Sequence, residues 1–499
     1  MTRRWLFADQ LGPHFLDDTS LDDTSLDEPD RSMLLIESRA VFARRRWHRQ
    51  KAHLVLSALR HRAAELGDRA EFIQADTYRD AIRNAGPLTV CRPTSRAADE
   101  FVRSLDGVEV LPARGFATDQ DTFEQWAGGQ RGLLMENFYR DARRRLDLLM
   151  DGAEPAGGRW NLDADNREPP PKGATRLDVP PAWEAEEDDI DAAVREDLDR
   201  WERDGDVEFV GRDGPRRFAA TRDEALTALH TFIDDRLPAF GPHEDAMLAG
   251  DRTMAHSMLS APMNLGLLDP LECARAAEDA YRAGRAPLAS VEGYIRQLVG
   301  WRDYIWHVYW HAGPGYRRRN ALAARGELPR WFADLDADAV EARCLSGVLG
   351  EVRDHGWVHH IPRLMVLSNY ALQRGWDPAA VTDWFHRCFV DGYDWVMVPN
   401  VVGMSQHADG GMMATKPYAS GGAYINRMSD YCKGCRYKPT SRTGPDACPF
   451  TAGYWTFLDR NRERLAHNHR MARPLAGLDR LGDLPEVVAG ERDRGSSPP

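Results

Sequence analysis

Over the first ~120 residues, short apolar runs alternate with amphipathic stretches. Arg4-Trp5-Leu6-Phe7-Ala8 and Ser32-Met33-Leu34-Leu35-Ile36-Glu37 read as strands. Gln50 to Leu66 reads as a helix, with Leu54, Leu56, Leu59 and Ala63 at near-helical spacing. Glu71 to Ala75, Leu88 to Cys91 and Val108 to Leu111 continue the strand rhythm, predicting a parallel sheet covered by helices. No G-x-G-x-x-G follows the first strand, so the pattern is Rossmann-like without its dinucleotide fingerprint.

From about Ile190 the periodicity turns helical. Asp223–Phe232, Leu271–Ala283, Val291–His311, Ala339–Val352, Arg363–Arg374 and Pro378–Phe389 fit amphipathic or buried helices. Between the two regimes, residues 151–190 have linker composition, with Pro169-Pro170-Pro171 and Glu186-Glu187-Asp188-Asp189. Leu16-Asp17-Asp18-Thr19-Ser20 recurs as Leu21-Asp22-Asp23-Thr24-Ser25, a solvated acidic loop. The predicted organisation is an α/β domain over 1–125, a connector over 126–190, a large all-α domain over 191–474 and a loose tail over 475–499.

The chain of 499 residues is long enough for several cores, with an ordinary soluble balance of 42% apolar and 29% charged residues. No apolar run approaches the ~20 residues of a membrane span, and no signal peptide follows Met1-Thr2-Arg3-Arg4-Trp5. A cytoplasmic protein with no membrane partner is expected. Seven cysteines are too few for a disulfide scaffold, so clustered cysteines point to metal or chemistry. A net charge of −13 excludes a globally basic nucleic-acid binder. Between Arg427 and Arg473, however, ten Lys or Arg stand against four acids, a local basic stretch suited to phosphate.

That stretch brackets Cys432-Lys433-Gly434-Cys435 and, after twelve intervening residues, Cys448-Pro449. Three thiols in loop-like surroundings imply a metal or a cluster. Spacing leaves zinc and iron–sulfur level, and leaves Cys344, Cys388, Cys273 and Cys91 open as the fourth ligand. Trp357-Val358-His359-His360-Ile361-Pro362-Arg363 precedes a helix, and Ser405-Gln406-His407-Ala408-Asp409-Gly410-Gly411 reads as a ligand-lining loop. His256-Ser257-Met258-Leu259-Ser260 offers hydroxyls at a helix start, for capping or for phosphate.

Together these segments resemble the cryptochrome/photolyase family, in its bacterial iron–sulfur branch of prokaryotic (6-4) photolyases. The strongest run is Gly403-Met404-Ser405-Gln406, Ala408 to Gly411, Lys416-Pro417-Tyr418 and Arg427-Met428-Ser429-Asp430-Tyr431-Cys432 through Cys435. The resemblance implies the photolyase fold, with an antenna domain ahead of an all-α FAD-binding domain. It implies a [4Fe–4S] cluster on Cys344, Cys432, Cys435 and Cys448. Ser257, Leu259 and Ser260 would contact the flavin phosphates, with Gln297, Trp301 and Arg302 packing on the flavin. Asp391, Asp394 and Asn400 would line its other side, and Arg363 would pair with Asp391.

The resemblance also makes His360 proton donor to a (6-4) lesion, with His359 beside it and Tyr418 and Tyr424 bordering the pocket. Trp384 would carry electrons to FAD, while Asp9, Glu37 and Trp47 to Lys51 would hold a ribityllumazine antenna. UV-damaged DNA is the implied partner and a monomer the implied state. The match departs at Met397, where the family places Asn or an acid near flavin N5. It departs too at Asp334, Asp336 and Asp338, where a tryptophan is usual, and at Phe385. Light-driven DNA repair is the leading expectation. A cryptochrome-like photoreceptor and a colourless zinc-stabilised DNA-binding protein are the alternatives.

Overall fold

A computed structural model describes residues 2–16 and 32–499. The acidic duplication, from Asp17 onward, lies outside the described residues. Five parallel strands, β1 (Arg3–Leu6), β2 (Met33–Ser38), β3 (Ala70–Ala75), β4 (Leu88–Cys91) and β5 (Val108–Leu111), form one sheet in the order β3-β2-β1-β4-β5. The register pairs Trp5 with Leu34 and Leu6 with Leu35. Trp5, Leu34 and Ile36 bury one face against Phe7 and Val102. Leu6, Met33 and Leu35 point the other way, into the core shared with helix α1 (Arg49–Leu66). Burial on both faces explains why these strands read as continuous apolar runs rather than alternating ones.

The strand expectations hold to within a residue or two, and α1 begins one residue early. The predicted Val291–His311 helix is Leu288–Ile295 and Asp303–His311, joined through a wide π-type turn over Arg296–Arg302. Similar turns occupy Pro362–Ser368 and Pro399–Ser405. These three carry predicted site residues, in keeping with the association of such turns with function, whereas a fourth, Phe232–Arg236, carries none.

Residues 126–190 connect the two regions but are pinned along their length. Helix Met135–Leu146 lays Tyr139 on Gly300, and the Tyr139 hydroxyl donates to the Glu292 carbonyl (3.3 Å). Beyond it, the Glu168 amide donates to Pro242 O (2.9 Å) and the Leu177 amide to the Asp251 carboxylate (2.9 Å).

The tail differs from expectation. Residues 475–499 were expected loose, yet they end helix Ala472–Leu478 and form helix α3 (Leu484–Arg494). Leu478 and Val487 are buried, and Arg374 forms a buried ion pair with Glu491. The composition of this stretch hid its contacts because its anchor, Glu491, is a charged residue matched to a partner 117 positions away.

Candidate functional site

The centre of the helical region is organised by Asp391. Its carboxylate receives two parallel hydrogen bonds from Arg363 (2.8 and 2.9 Å) and one from the Ser260 hydroxyl (2.7 Å). Asn264 donates to the Asp391 carbonyl (2.9 Å) and accepts from Arg302 (2.6 Å). Thus four residues predicted from sequence, Ser260, Arg302, Arg363 and Asp391, meet, and Asn264 is the link that sequence reading missed. The Arg363 guanidinium lies over Phe389 (4.3 Å) and that of Arg302 over Trp395 (4.7 Å), so both charges are fixed by stacking as well as by hydrogen bonds.

Other predicted cofactor residues face elsewhere. Asp394 is engaged by Tyr309 Oη (2.9 Å) and by Arg317. Asn400 donates to Val396 O in its own helix (2.9 Å), and Gln297 donates to Glu244 (2.7 Å). Trp301 packs on Tyr304. Ser257 Oγ accepts from the Leu259 amide (3.4 Å), closing a turn in which Met258 holds φ +59°. That left-handed, non-glycine conformation is a strained one.

The histidines come together on the same cradle. His256 stacks on His359 with centroids 4.3 Å apart, and one ligand nitrogen from each of His256, His359 and His360 falls within 4.8 Å of the others. Burial holds His256 and His359 well below the ordinary imidazole pKa, and the neighbouring His360 adds to the effect on both. His360 is half-exposed, with Nε2 3.5 Å from Asp245 Oδ1. Asp245 also acts on Tyr418 and Tyr424, whose phenols are pushed up, first by burial, Tyr424 to about 12. Asp245, the acid that faces His360, was not singled out as a site residue by sequence reading.

The geometry of His359–Arg363 follows from Gly356. Helix α2 (Arg343–His355) stops there at φ +60°, where a Cβ would meet Val390 (3.0 Å) and His48 (3.1 Å). Several buried polar atoms around the cradle have no partner among the described residues: Arg302 Nε, His256 Nε2, His359 Nδ1 and Trp357 Nε1. Orphaned groups of this kind are costly unless a polar ligand satisfies them, and they fit a large polar cofactor.

Trp384 is fully buried, with Nε1 donating to Phe332 O (3.0 Å). Its ring lies 4.5 Å from Phe332, which contacts Trp376 at 4.8 Å; Trp376 in turn lies 6.3 Å from half-buried Trp331. Aromatic contact therefore continues past the aspartate-rich segment.

The cysteines that sequence and resemblance single out converge from three segments. Cys344 stands in the first turn of α2, Cys432 and Cys435 flank a tight turn, and Cys448 precedes helix Pro449–Arg460. All four line one space with Ile425, Tyr437 and Phe450. Arg343 donates to Lys433 O (2.7 Å), tying the first segment to the second. A Cβ on Gly422 would come within 2.7 Å of Cys448 Sγ, so glycine is required there. Burial, reinforced by the neighbouring thiols, raises the Cys344 and Cys432 pKa values, Cys432 to about 12. Four thiolates here need a cation to hold them. Among the described residues, no three of these sulfurs lie within 4.8 Å of one another. A single tetrahedral zinc would draw its sulfurs to roughly 3.8 Å.

In the α/β region, Asp9 follows β1 and accepts from Thr94, which follows β4. This is where the strand order reverses, the usual ligand crevice of such sheets. Burial raises the Asp9 pKa. Glu37 is already taken up by Arg60 (2.8 Å to each oxygen) and Gln74 (3.1 Å). The basic stretch is less available than its sequence suggests, because Arg436, Lys438, Arg442 and Arg462 pair with Glu341, Asp446, Asp483 and Asp479.

Fold and site together define a member of the cryptochrome/photolyase family, and the chain belongs to that family as a photolyase-type enzyme. The family described as deoxyribodipyrimidine photo-lyase-related protein matches residues 4–206. A (6-4) photolyase of Agrobacterium fabrum is 42% identical over 460 residues, covering 87% of this chain and 88% of the relative. A bacterial class III photolyase from Agrobacterium tumefaciens shares the fold at TM-score 0.55 and 15% identity, over 99% of this chain and 96% of that one. A Synechocystis cryptochrome does so at TM-score 0.53 and 14% identity, over 82% and 83%. No helix among the described residues is long and apolar enough to cross a membrane.

Proposed function

We propose that this protein repairs (6-4) pyrimidine photoproducts in UV-damaged DNA, using FAD held around Asp391 and a [4Fe–4S] cluster on Cys344, Cys432, Cys435 and Cys448. The observation that carries this reading is the segment His359–Arg363, which places the histidine pair and the partner of Asp391 within five consecutive residues. The relative named (6-4) photolyase supports the lesion class. When bound, reduced FAD supplies one electron to the lesion under blue light.

The chain's own residues position and protonate. Arg363 and Ser260 fix Asp391, and the unpartnered Arg302 Nε and His256 Nε2 offer further contacts. A damaged pair leaves the base stack at least cost, and Tyr418, exposed at the rim, presents a ring for it to lie on. His360 Nε2 gives the proton, with Asp245 opposite to orient the ring. His359, buried and neutral, backs it. The resemblance to the iron–sulfur branch of the family favours the cluster over zinc, in a structural role. Asp9, at the sheet crevice, is the best-placed residue for a ribityllumazine antenna. The protein acts as a monomer in the cytoplasm.

A photoreceptor of the same fold is the second reading, favoured by Met397, whose buried thioether cannot relay a proton. The test is anaerobic purification, a visible spectrum with iron analysis, and illumination under reducing conditions with an oligonucleotide carrying one (6-4) photoproduct. Flavin, iron and light-dependent loss of the lesion are expected. Flavin and iron without repair would establish the photoreceptor reading, and absence of both from folded protein would overturn the proposal.

A further inference from the structure

Helix α3 and the residues after it touch every segment that carries one of the four converging cysteines. Arg494 donates to Ala447 O (3.2 Å), the residue before Cys448, and its guanidinium lies 5.4 Å from the Tyr437 ring, two residues beyond Cys435. Pro499 O accepts from the amides of Glu341 (2.7 Å) and Ala342 (2.9 Å), immediately ahead of Arg343 and Cys344. Ser496 O accepts from Trp331 Nε1 (2.9 Å). The whole strap is anchored by Glu491, buried between Arg374 and Arg494 Nε (3.0 Å), and at its start by Asp483 with Arg442 (2.7 Å).

These contacts are not needed to complete helix α3. They end on backbone groups of two segments, at Glu341–Ala342 and at Ala447, on the Trp331 indole, and on the ring that walls one side of the cysteine space. Without them, the Glu341 and Ala342 amides and the Ala447 carbonyl turn to water, and the Tyr437 side of the space loses its cover. Partners that orient metal ligands govern how firmly the metal is kept.

We infer that residues 484–499 are a clasp for the metal centre: they position the cysteine-bearing segments and shield the bound group from solvent and oxidant. The inference rests on the proposed four-cysteine centre. Arg494 is its main positioning residue, acting through Ala447 and Tyr437 rather than on the metal.

The test compares the full chain with a chain ending at Gly495 and with Arg494→Met, which leaves the Arg374–Glu491 pair in place. Each is purified anaerobically, and iron per polypeptide, flavin per polypeptide and thermal unfolding are measured. Iron release to a chelator is then followed after admission of dioxygen. Both variants are expected to release iron roughly tenfold faster than the full chain, with flavin content unchanged. Release at the full-chain rate from both variants overturns the clasp. Should the shortened chain lose flavin as well, through general misfolding, Arg494→Met alone decides. A full chain that carries flavin but no iron overturns the metal centre and the clasp together, whereas iron kept equally by all three overturns the clasp alone.

Discussion

The imidazole of His256 lies on that of His359 with ring centroids 4.3 Å apart and planes inclined by 22°. Both rings are buried and neutral, so a proton on either would face its neighbour without solvent to spread the charge. The half-exposed His360, with Nε2 3.5 Å from Asp245 Oδ1, is the imidazole of the group that opens to solvent. His360→Ala is therefore expected to lower light-driven repair of a (6-4) lesion by about 10²-fold or more while leaving bound flavin unchanged. Repair at the wild-type rate would remove His360 from proton transfer.

The pairing of Arg363 with Asp391 makes a second expectation. Asp391→Asn leaves the guanidinium buried against a neutral amide, a loss of about 3–5 kcal/mol when one partner of a buried pair is removed. The variant should purify with little flavin and a lowered melting temperature. Full flavin content would show that Asp391 does not organise the cofactor site.

Burial of neutral imidazoles sets the acid side of stability. His48, enclosed and donating from Nε2 to Val352 O (2.8 Å), is pushed down to about 4 by its burial. The unfolded chain takes up a proton near pH 6.5 and the folded chain only near pH 4, so stability is full above 6.5. It falls by up to about 1.4 kcal/mol per pH unit for each such group as pH drops from 6.5 towards 4. His256 and His359 act in the same direction. Melting temperatures taken from pH 8 to pH 5 should decline below 6.5; a flat profile would contradict the neutral, buried assignment.

Trp384 is the buried ring next to Phe389 (5.9 Å), which in turn stacks under Arg363. Trp384→Phe should slow light-driven reduction of bound flavin by an external thiol, read as the rate of bleaching near the flavin maximum. Trp331→Phe should slow it as well if the ring contacts through Trp376 carry the charge outward. Unaltered bleaching in both would place the route elsewhere.

Much of this architecture could be read from local patterning. Strands such as Met33–Ser38 and Leu88–Cys91 fall where their apolar runs put them, because burial on both sheet faces leaves a strong local signal. Asp391 and Arg363 were legible through resemblance. Asn264 and Asp245 were not, since each gains its meaning from a partner more than 100 residues away. The basic run near the cysteines misled in the opposite way: its charges were visible, but Glu341, Asp446, Asp479 and Asp483, which neutralise them, belong to no motif. The terminal helix failed for the same reason, its anchor being a buried Glu491 among arginines.

Lys51, on α1 of the first region, buries its ammonium against Gly392 O and His386 O, and burial pushes its pKa down to about 7. Beside it, Trp47-His48 pairs as a short parallel strand with Phe209-Val210, and Gln50 donates to Asp354 O (2.5 Å). The lysine thus grips the residue next to Asp391 from across the sequence boundary. The chain has two compositional halves but no mechanical seam between them. Neither half would be expected to survive as a separate fragment, and among the described residues a protease would find no hinge between the two halves.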